Sequence, residues 1–209
     1  MFSLQQLFGK SDQFYRLLEE AATAAHQSVK LVLDLMKAPP GKQNLDDLTL
    51  ARRKEKKIAE EISTLLVRTF VTGLEREDIE ALSLSLYKIP KTTQKFAERY
   101  LLASRHLESV EFSKQAALME RATEVVLEMV KQLRDLSHVE KLKELNDKLQ
   151  FIEGEADRLM LDLFQELYSG RYDALRAIVI RDLYELMEKA IDRCRDAGNV
   201  VMHIVLKNS

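Results

Sequence analysis

Residues 142–170 read LKELNDKLQFIEGEADRLMLDLFQELYSG, and this stretch decides the fold. Its apolar residues recur every three or four positions from Leu142 to Leu167, which predicts one long helix with a single buried face. Ser169 and Gly170 then predict a C-terminal cap, because glycine readily adopts the left-handed conformation that ends helices. A helix of this kind buries its apolar face against neighbours, so the stretch predicts a bundle of antiparallel helices joined by short loops.

Five further segments have the same apolar spacing, so the chain is predicted to be all-α, with about six long antiparallel helices. No sustained alternation of apolar and polar residues predicts a strand. The sequence leaves open whether the third and fourth segments are one long bent helix or two packed helices. The expected bounds are Asp12–Lys37, Asn44–Val71, a third segment from Glu75, residues 106–136, Val139–Tyr168 and Asp173–Leu206.

Three boundary signals accompany these segments. Ser11 and Asp12 predict an N-terminal cap on the first helix, because a short side-chain oxygen can satisfy the free N–H groups of the first turn. The Pro39–Gly41 segment predicts the end of that helix. Thr72 and Glu75 have the spacing of a capping box at the start of the third helix.

The helical pattern occurs twice along the chain. Placing Gly73 on Gly170 aligns Ile62 with Leu159, and the apolar positions of the two stretches then coincide. We therefore expect two pseudo-repeated three-helix bundles. Their expected bounds are residues 1–105 and residues 106–209.

Composition restricts the possible functions. Hydrophobic residues make up 46% and charged residues 32% of the chain, and the formal net charge of −2 does not predict a nucleic-acid partner. No apolar run reaches the ~18 residues that span a bilayer. The first residues lack the pattern of a signal peptide, and Cys194 is the single cysteine, so we expect a cytoplasmic protein without a disulfide. The sequence contains neither a glycine-rich nucleotide-binding motif nor the Gly-x-Ser-x-Gly motif of a nucleophile elbow. We therefore expect that the protein is not an enzyme.

Acidic residues of the second copy are the candidate metal ligands. On the last helix they follow 3-4-4 spacing and share one face, and on the preceding helix an i, i+4 pair repeats the pattern. Carboxylates repel one another at this spacing, and a hard cation held between them would remove the repulsion. The alternative is a solvated face on which Lys189 pairs with Glu185 and Arg195 with Asp192. The candidate ligands are Glu153, Asp157, Glu185, Glu188, Asp192 and Asp196.

Other motifs allow two interpretations each. The run Arg52–Lys57 is basic and could contact anionic lipid or nucleic acid, but a solvated helix face is the preferred interpretation. The apolar cluster within residues 2–8 either contacts a membrane or partner or plugs one end of a bundle. The histidines show no metal-ligand spacing and are interpreted as surface or helix-end residues. They are His26, His106, His138 and His203.

Four segments of the chain carry recognisable motifs. They are Phe2 to Glu19, Phe70 to Ile79, the Glu153–Asp157 pair, and Arg181 to Cys194 with its Glu188–Asp192 pair. In their order and spacing, over essentially the whole chain, these segments resemble the PhoU phosphate-uptake regulators. The closer resemblance is to the divergent PhoU-like branch that accompanies Pit-type phosphate transporters.

The resemblance implies an all-helical, non-enzymatic regulator or accessory protein of inorganic phosphate transport. It implies docking at the cytoplasmic face of a Pit-type transporter, peripheral to the inner membrane, and self-association into a homo-oligomer. It also implies a divalent or ferric ion, namely iron, zinc, manganese or magnesium, at Glu153 with Asp157 and Glu188 with Asp192. The alternatives are a metal-binding helical bundle and a purely structural adaptor without metal.

The first copy departs from the family pattern. Lys56 stands opposite Glu153, and Lys91 stands opposite Asp192. A protonated ammonium group cannot bind a cation, so we predict that the first metal site is lost and that Lys91 and Lys95 attract an anion instead.

Overall fold

A computed structural model describes residues 4–39, 41–135 and 139–208, and the side chains among them from residue 12 onward. The predicted all-α class is confirmed, since the described residues form six α-helices and a 3-10 turn, with no strand among them. None of the described helices is long and apolar enough to cross a membrane. The elements are α1 Leu4–Lys37, α2 Asp46–Arg68, α3 Arg76–Ala103, the 3-10 turn Ser104–His106, α4 Ser113–Gln132, α5 Val139–Leu167 and α6 Ala174–Asn208.

The start of α1 differs from the prediction. The helix begins at Leu4, so Ser11 and Asp12 lie inside it and do not cap it. Asp12 instead accepts a hydrogen bond from Arg134, which follows the last turn of α4, and this pair ties the two helices together. The apolar cluster within residues 2–8 and His138 lie outside the residues whose side chains are described.

Two predicted helix ends are confirmed by the backbone. Helix α1 stops at Lys37, and Gly41 in the turn that follows has φ +87°. Helix α5 stops at Leu167, and Gly170 in the turn to α6 has φ +84°. Residues other than glycine are strained at such positive φ values, which explains why these turns could be located from the sequence.

The turn between α2 and α3 is not built as the capping box predicted. Glu75 is the N-cap of α3 but makes no side-chain cap hydrogen bond, and the Thr72 hydroxyl donates to a nearby carbonyl of the turn. Arg76 determines this turn, because its guanidinium donates to the carbonyl oxygens of Leu66, at 2.5 Å, and Thr69. A cation is favoured at a helix C-terminus, where carbonyl groups have no partner within the helix.

Helices α3 and α4 are separate, which answers the question left open by the sequence. The 3-10 turn that begins at Ser104 and a positive φ of 61° at Ser109 reverse the chain between them. Arg176 of α6 stabilises the connection between α3 and α4, because its guanidinium donates hydrogen bonds to the carbonyl oxygens of His106, at 2.9 Å, and of Glu108. Neither glycine nor proline marks the break, so the sequence carried no local signal for it.

The six helices form two layers. Helix α3 packs on α6 in the most extensive contact of the fold, α2 packs on the other side of α3, and α5 packs on the other side of α6. Helix α1 contacts α2 and α3, and α4 contacts α5 and α6. Because α1 and α4 also contact each other, both lie on the same side of the α3–α6 pair. The first layer is thus α2-α3-α6-α5, and its exposed surface is called the outer face below.

This packing joins α1, α2 and α3 to one another, and likewise α4, α5 and α6. The division into repeats at residues 105 and 106 falls in the 3-10 turn and stays a prediction.

The predicted apolar stripes form the core. Most of their members are buried, among them Cys194, which donates its S–H to the Ala190 carbonyl oxygen at 3.3 Å and behaves as a small apolar residue. Some residues are less buried than predicted, among them Leu159 and Leu163, which are half-buried, and Ile178, which is exposed. Leu159 lines a surface groove between α4 and α5. Core residues that are essentially inaccessible include Phe14, Leu17, Ile79, Leu82, Phe96, Met119, Met129, Leu149, Met187 and Val201.

The basic run Arg52–Lys57 conceals a buried acid. Its other members are exposed or half-buried, as a solvated face requires, but Glu55 is only 4% exposed. The Ser28 hydroxyl of α1 donates to Glu55 Oε1 at 2.5 Å, and Arg52 Nη1 lies 3.5 Å from Oε2. Burial raises the pKa of Glu55 to about 7 against the opposing effect of these two hydrogen bonds. Sequence reasoning missed this residue, although its seven-residue spacing from the buried Leu48 was a usable signal.

Replacing Glu55 by glutamine should remove one pH dependence of stability. The pKa of Glu55 is about 7 in the fold and 4.5 as its ordinary value, so its stabilising contribution is full below pH 4.5 and is lost as pH rises through 7. We expect Glu55→Gln to match wild type near pH 4.5 and to be more stable at pH 8, by on the order of 2 kcal/mol. Denaturant unfolding at both pH values measures this difference.

The control for this measurement is Glu61→Gln, an exposed acid on the same helix. The control should follow wild type at both pH values. A Glu55→Gln protein that loses stability with pH as wild type does would contradict the assignment.

Candidate functional site

Carboxylates line a groove between α5 and α6 on the outer face. The antiparallel turn at Gly170 brings the i, i+4 acid pair of α5 beside the acid stripe of α6, as the spacing predicted. Glu188 and Asp192 are half-buried in this groove, although the alternative interpretation placed them on a fully wet face. The groove is lined by Glu153, Glu185, Glu188, Lys189, Asp192, Arg193, Arg195, Asp196 and Asn199, and Asp157 lies beside it in the adjoining groove along α5.

The two helices bring their negative charges within mutual influence. Burial and the charges of Asp192, Asp157 and Glu185 raise the pKa of Glu188 to about 7. The pKa of Asp192 is also raised, by burial and by Asp157 and Asp196. Burial raises the pKa of Glu153 as well, although Arg195 opposes this shift. Asp157 of α5 and the acids of α6 therefore form one electrostatic cluster.

Arginines already occupy part of the groove. Arg195 Nε lies 3.3 Å from Glu153 Oε2, and Arg195 Nη1 also donates to Asn146 Oδ1 at 2.8 Å. Arg193 pairs with Asp196 at 2.7 Å, and Arg181 pairs with Glu185 at 3.4 Å.

The expected pairs of Lys189 with Glu185 and of Arg195 with Asp192 are therefore wrong. Arg195 points towards α5 because it stands seven residues after Glu188 and shares its side of α6. That spacing was a signal that sequence reasoning overlooked.

Asp157, Glu188 and Asp192 form no salt bridge among the described residues. Carboxylate oxygens are the donors that hard cations prefer, so this donor set fits such an ion chemically. Within the described part of the chain, no group of three His, Cys, Asp or Glu side chains is placed to hold a metal ion. Binding therefore requires these side chains to move towards one another, and the metal site stays a prediction.

The corresponding region of the first copy has a different chemistry. Lys56 pairs with Glu60 at 3.5 Å, and the guanidinium of Arg52 lies 3.9 Å from the centroid of the Tyr87 ring. Lys91 is exposed and forms no salt bridge among the described residues. The surface where α2 meets α3 therefore presents cations at positions where the groove between α5 and α6 presents carboxylates.

Histidines do not contribute to either groove in the described residues. His26 was interpreted as a surface or helix-end residue, but it lies in the middle of α1, half-buried, with Nδ1 3.0 Å from Thr123 Oγ1 of α4. His203 is exposed on α6, and His106 lies in the 3-10 turn.

Two solved structures resemble the chain closely in fold. A PhoU-like protein from Shewanella oneidensis MR-1 superposes with a TM-score of 0.75 at 19% identity, covering 93% of this chain and 99% of that one. This chain has the PhoU-like fold. A second structure from the same organism, described provisionally as a PhoU-like phosphate regulatory protein, gives a TM-score of 0.73 with the same identity and coverage. The PhoU-like resemblance noted in the sequence is thereby confirmed for the fold.

Sequence relatives extend the PhoU-like comparison. No family model matches the chain. A protein of Rhizobium meliloti (strain 1021), provisionally named a Pit accessory protein, is 22% identical over 210 residues, covering 98% of this chain and 97% of that protein. The UPF0111 protein YkaA of Bacillus subtilis (strain 168) is 24% identical over 147 residues, and the match covers 69% of this chain and 70% of YkaA.

Removing one charge from the acidic groove should stabilise the protein. We expect Glu188→Gln to raise the melting temperature at pH 8 in chelator, because a carboxylate repelled by its neighbours becomes neutral. The side chain is partly solvated, so the gain should be about 0.5 kcal/mol, or about 1–2 °C. Calorimetry measures it, with Glu128→Gln on the exposed side of α4 as the unchanged control. A lower melting temperature would show that Glu188 is held by favourable contacts instead.

Proposed function

We propose that this protein is a non-enzymatic accessory regulator of inorganic phosphate transport that docks on the cytoplasmic face of a Pit-type transporter. The observation that carries this proposal is the near full-length similarity to the provisionally named Pit accessory protein, on a chain with the PhoU-like fold. The relatives are named as regulatory or accessory proteins, which supports a role without catalysis. The protein then acts in the cytoplasm, at the membrane that holds the transporter.

Metal binding is the second part of the proposal. The motivation is the carboxylate cluster, in which the half-buried Glu188 and Asp192 and the exposed Asp157 lack a salt bridge among the described residues. Iron, zinc, manganese or magnesium would neutralise the mutual repulsion that raises the pKa of Glu188. The remaining ligands would come from Glu153, Glu185 and Asp196. A metal-binding bundle that contacts no transporter is the second candidate function, and the same cluster favours it.

Transporter docking should be visible in membranes of the source cell. We expect the tagged protein to recover a Pit-type transporter from a detergent extract, and we expect deletion of the protein to change phosphate uptake under starvation or excess. Mass spectrometry and radiolabelled phosphate measure the two effects. The control is a strain that carries the gene again, in which uptake should return to the wild-type value. Unchanged uptake in both conditions, together with no recovered transporter, would remove the docking proposal and leave the metal-binding bundle.

Metal content tests the carboxylate cluster independently of the transporter. We expect wild type incubated with each metal and then desalted to retain nearly one ion per chain, and Glu188→Ala/Asp192→Ala to retain almost none. Inductively coupled plasma mass spectrometry measures the content of protein purified without nickel. Glu124→Ala/Glu128→Ala is the matched control, because it removes an exposed acid pair with the same spacing from α4. Equal, near-zero metal in all three proteins would mean that the acids bind no ion.

A further inference from the structure

The outer face is divided into a basic half and an acidic half. The basic half contains the three lysines of α3 between residues 88 and 95 and, on the adjoining side of α2, Arg52 and Lys56, which lie one helical turn apart. Its acids are the exposed Glu60 and the buried Glu55. The acidic half is the groove between α5 and α6 with its six carboxylates. Arg195, Arg193 and Arg181 pair with Glu153, Asp196 and Glu185, and Lys189 also lines this groove. Apart from Lys189, the charges without a salt bridge among the described residues are opposite in sign in the two halves: lysines on α3, and carboxylates on α5 and α6.

Lysines of α3 form the ordered part of the basic half. Lys88, Lys91 and Lys95 follow 3-4 spacing and share one side of the helix. None of them forms a salt bridge among the described residues. They are called the lysine row below. Glu188, Asp192 and Asp196 of α6 follow 4-4 spacing and are called the acid row.

The two rows stand at the same heights along the fold. Arg99 of α3 lies 3.7 Å from Asp182 of α6, and Lys207 of α6 lies 3.1 Å from Asp78 of α3. These two pairs show which residues of the antiparallel helices α3 and α6 are level with one another, at both ends of the contact. Between them, that register places each member of the lysine row level with one member of the acid row. The level pairs are Lys95 with Glu188, Lys91 with Asp192, and Lys88 with Asp196.

Matched heights matter because one two-fold rotation exchanges the rows. The axis lies in the outer face, between α3 and α6, and runs parallel to the helices. A two-fold rotation about this axis places α3 of one copy against α6 of the other, and every residue keeps its height along the helices. Each lysine then faces the carboxylate level with it, and the contact occurs twice, as an isologous interface requires. An axis across the helices would instead place lysines over lysines and acids over acids.

We propose that the outer face is a docking surface for a second copy of this chain, in which the lysine row of each copy meets the acid row of the other. A membrane of anionic lipid or a nucleic acid fits this face less well, because the acidic half would be repelled along with the attraction of the basic half. The face is large enough: helices about 35 Å long, four abreast at about 9 Å, offer about 1,000 Å² per copy, against about 800 Å² in a standard interface.

The proposal does not depend on the proposed function, although the two share the carboxylates of the acid row. The interface is mostly polar, so we expect a dimer that forms at low salt and weakens as salt screens the pairs. Ammonium groups of the partner would neutralise the acid row in the absence of any metal. The dimer should therefore form in chelator.

Charge reversal on each row tests the interface. We expect sedimentation velocity in chelator to show wild-type dimers at about 0.05 M NaCl and a shift towards monomer at about 0.5 M. Lys91→Glu/Lys95→Glu and Glu188→Lys/Asp192→Lys should each weaken dimerisation more than tenfold, because each sets like charges opposite one another in both contacts. Glu124→Lys/Glu128→Lys on α4 is the control and should dimerise as wild type does. Circular dichroism checks that every variant is folded.

Mixing the two charge-reversed proteins gives the decisive result. In the mixed pair both contacts again join opposite charges, so we expect heterodimers from two proteins that are each monomeric. The proposal is overturned if the mixture stays monomeric, if either variant dimerises as wild type does, or if dimers form only with added metal. A wild-type monomer that floats with phosphatidylglycerol vesicles would also overturn it, and would assign the basic half to a membrane.

Discussion

The antiparallel packing of α3 on α6 is the constraint on which the rest of the molecule depends. Ion pairs hold it at both ends, Arg99 with Asp182 and Lys207 with Asp78. At Gly198 the backbone of α6 comes so close to α5 that a Cβ atom there would lie 2.5 Å from Leu149 Cδ2. Because α3 and α6 share one register, every other helix takes its place by packing on one of them, and the outer face presents α2 and α5 at its edges.

Charge distinguishes two halves of the molecule that are similar in shape. In both halves an edge helix packs on a central helix, α2 on α3 and α5 on α6. The first pair of helices carries Lys56, Lys91 and the stacked Arg52–Tyr87 pair, and the second carries carboxylates that raise one another's pKa values. A change of sign at a few exposed positions leaves the core untouched, since each of these side chains lies outside the apolar stripes. The charge of the two halves could therefore diverge while the apolar core stayed the same.

The sequence was sufficient for features that follow from local periodicity and backbone conformation. The α5 stripe, the turns at Gly41 and Gly170, and the placement of acids along one groove are features of this kind. It was insufficient where distant residues decide the outcome. Arg176 fastens the α3–α4 link across the fold, and Arg76 replaces the predicted capping box by satisfying carbonyl groups of the preceding helix. The partner of Arg195 was also mispredicted, because its long side chain can reach several carboxylates that sequence spacing alone does not rank.

Glu55 makes the detachment of the edge helix depend on pH in one half of the molecule. In the alignment that sets Ile62 on Leu159, this acid falls on Ile152, which is fully buried in α5. One half thus holds a carboxyl and a serine hydroxyl at a core position where the other holds a hydrocarbon side chain. Ionisation of that carboxyl lowers the free-energy cost of detaching α2, so we expect the protection of its amide protons from exchange to fall as pH rises through about 7. The hydrocarbon at the equivalent position gives α5 no such dependence on pH.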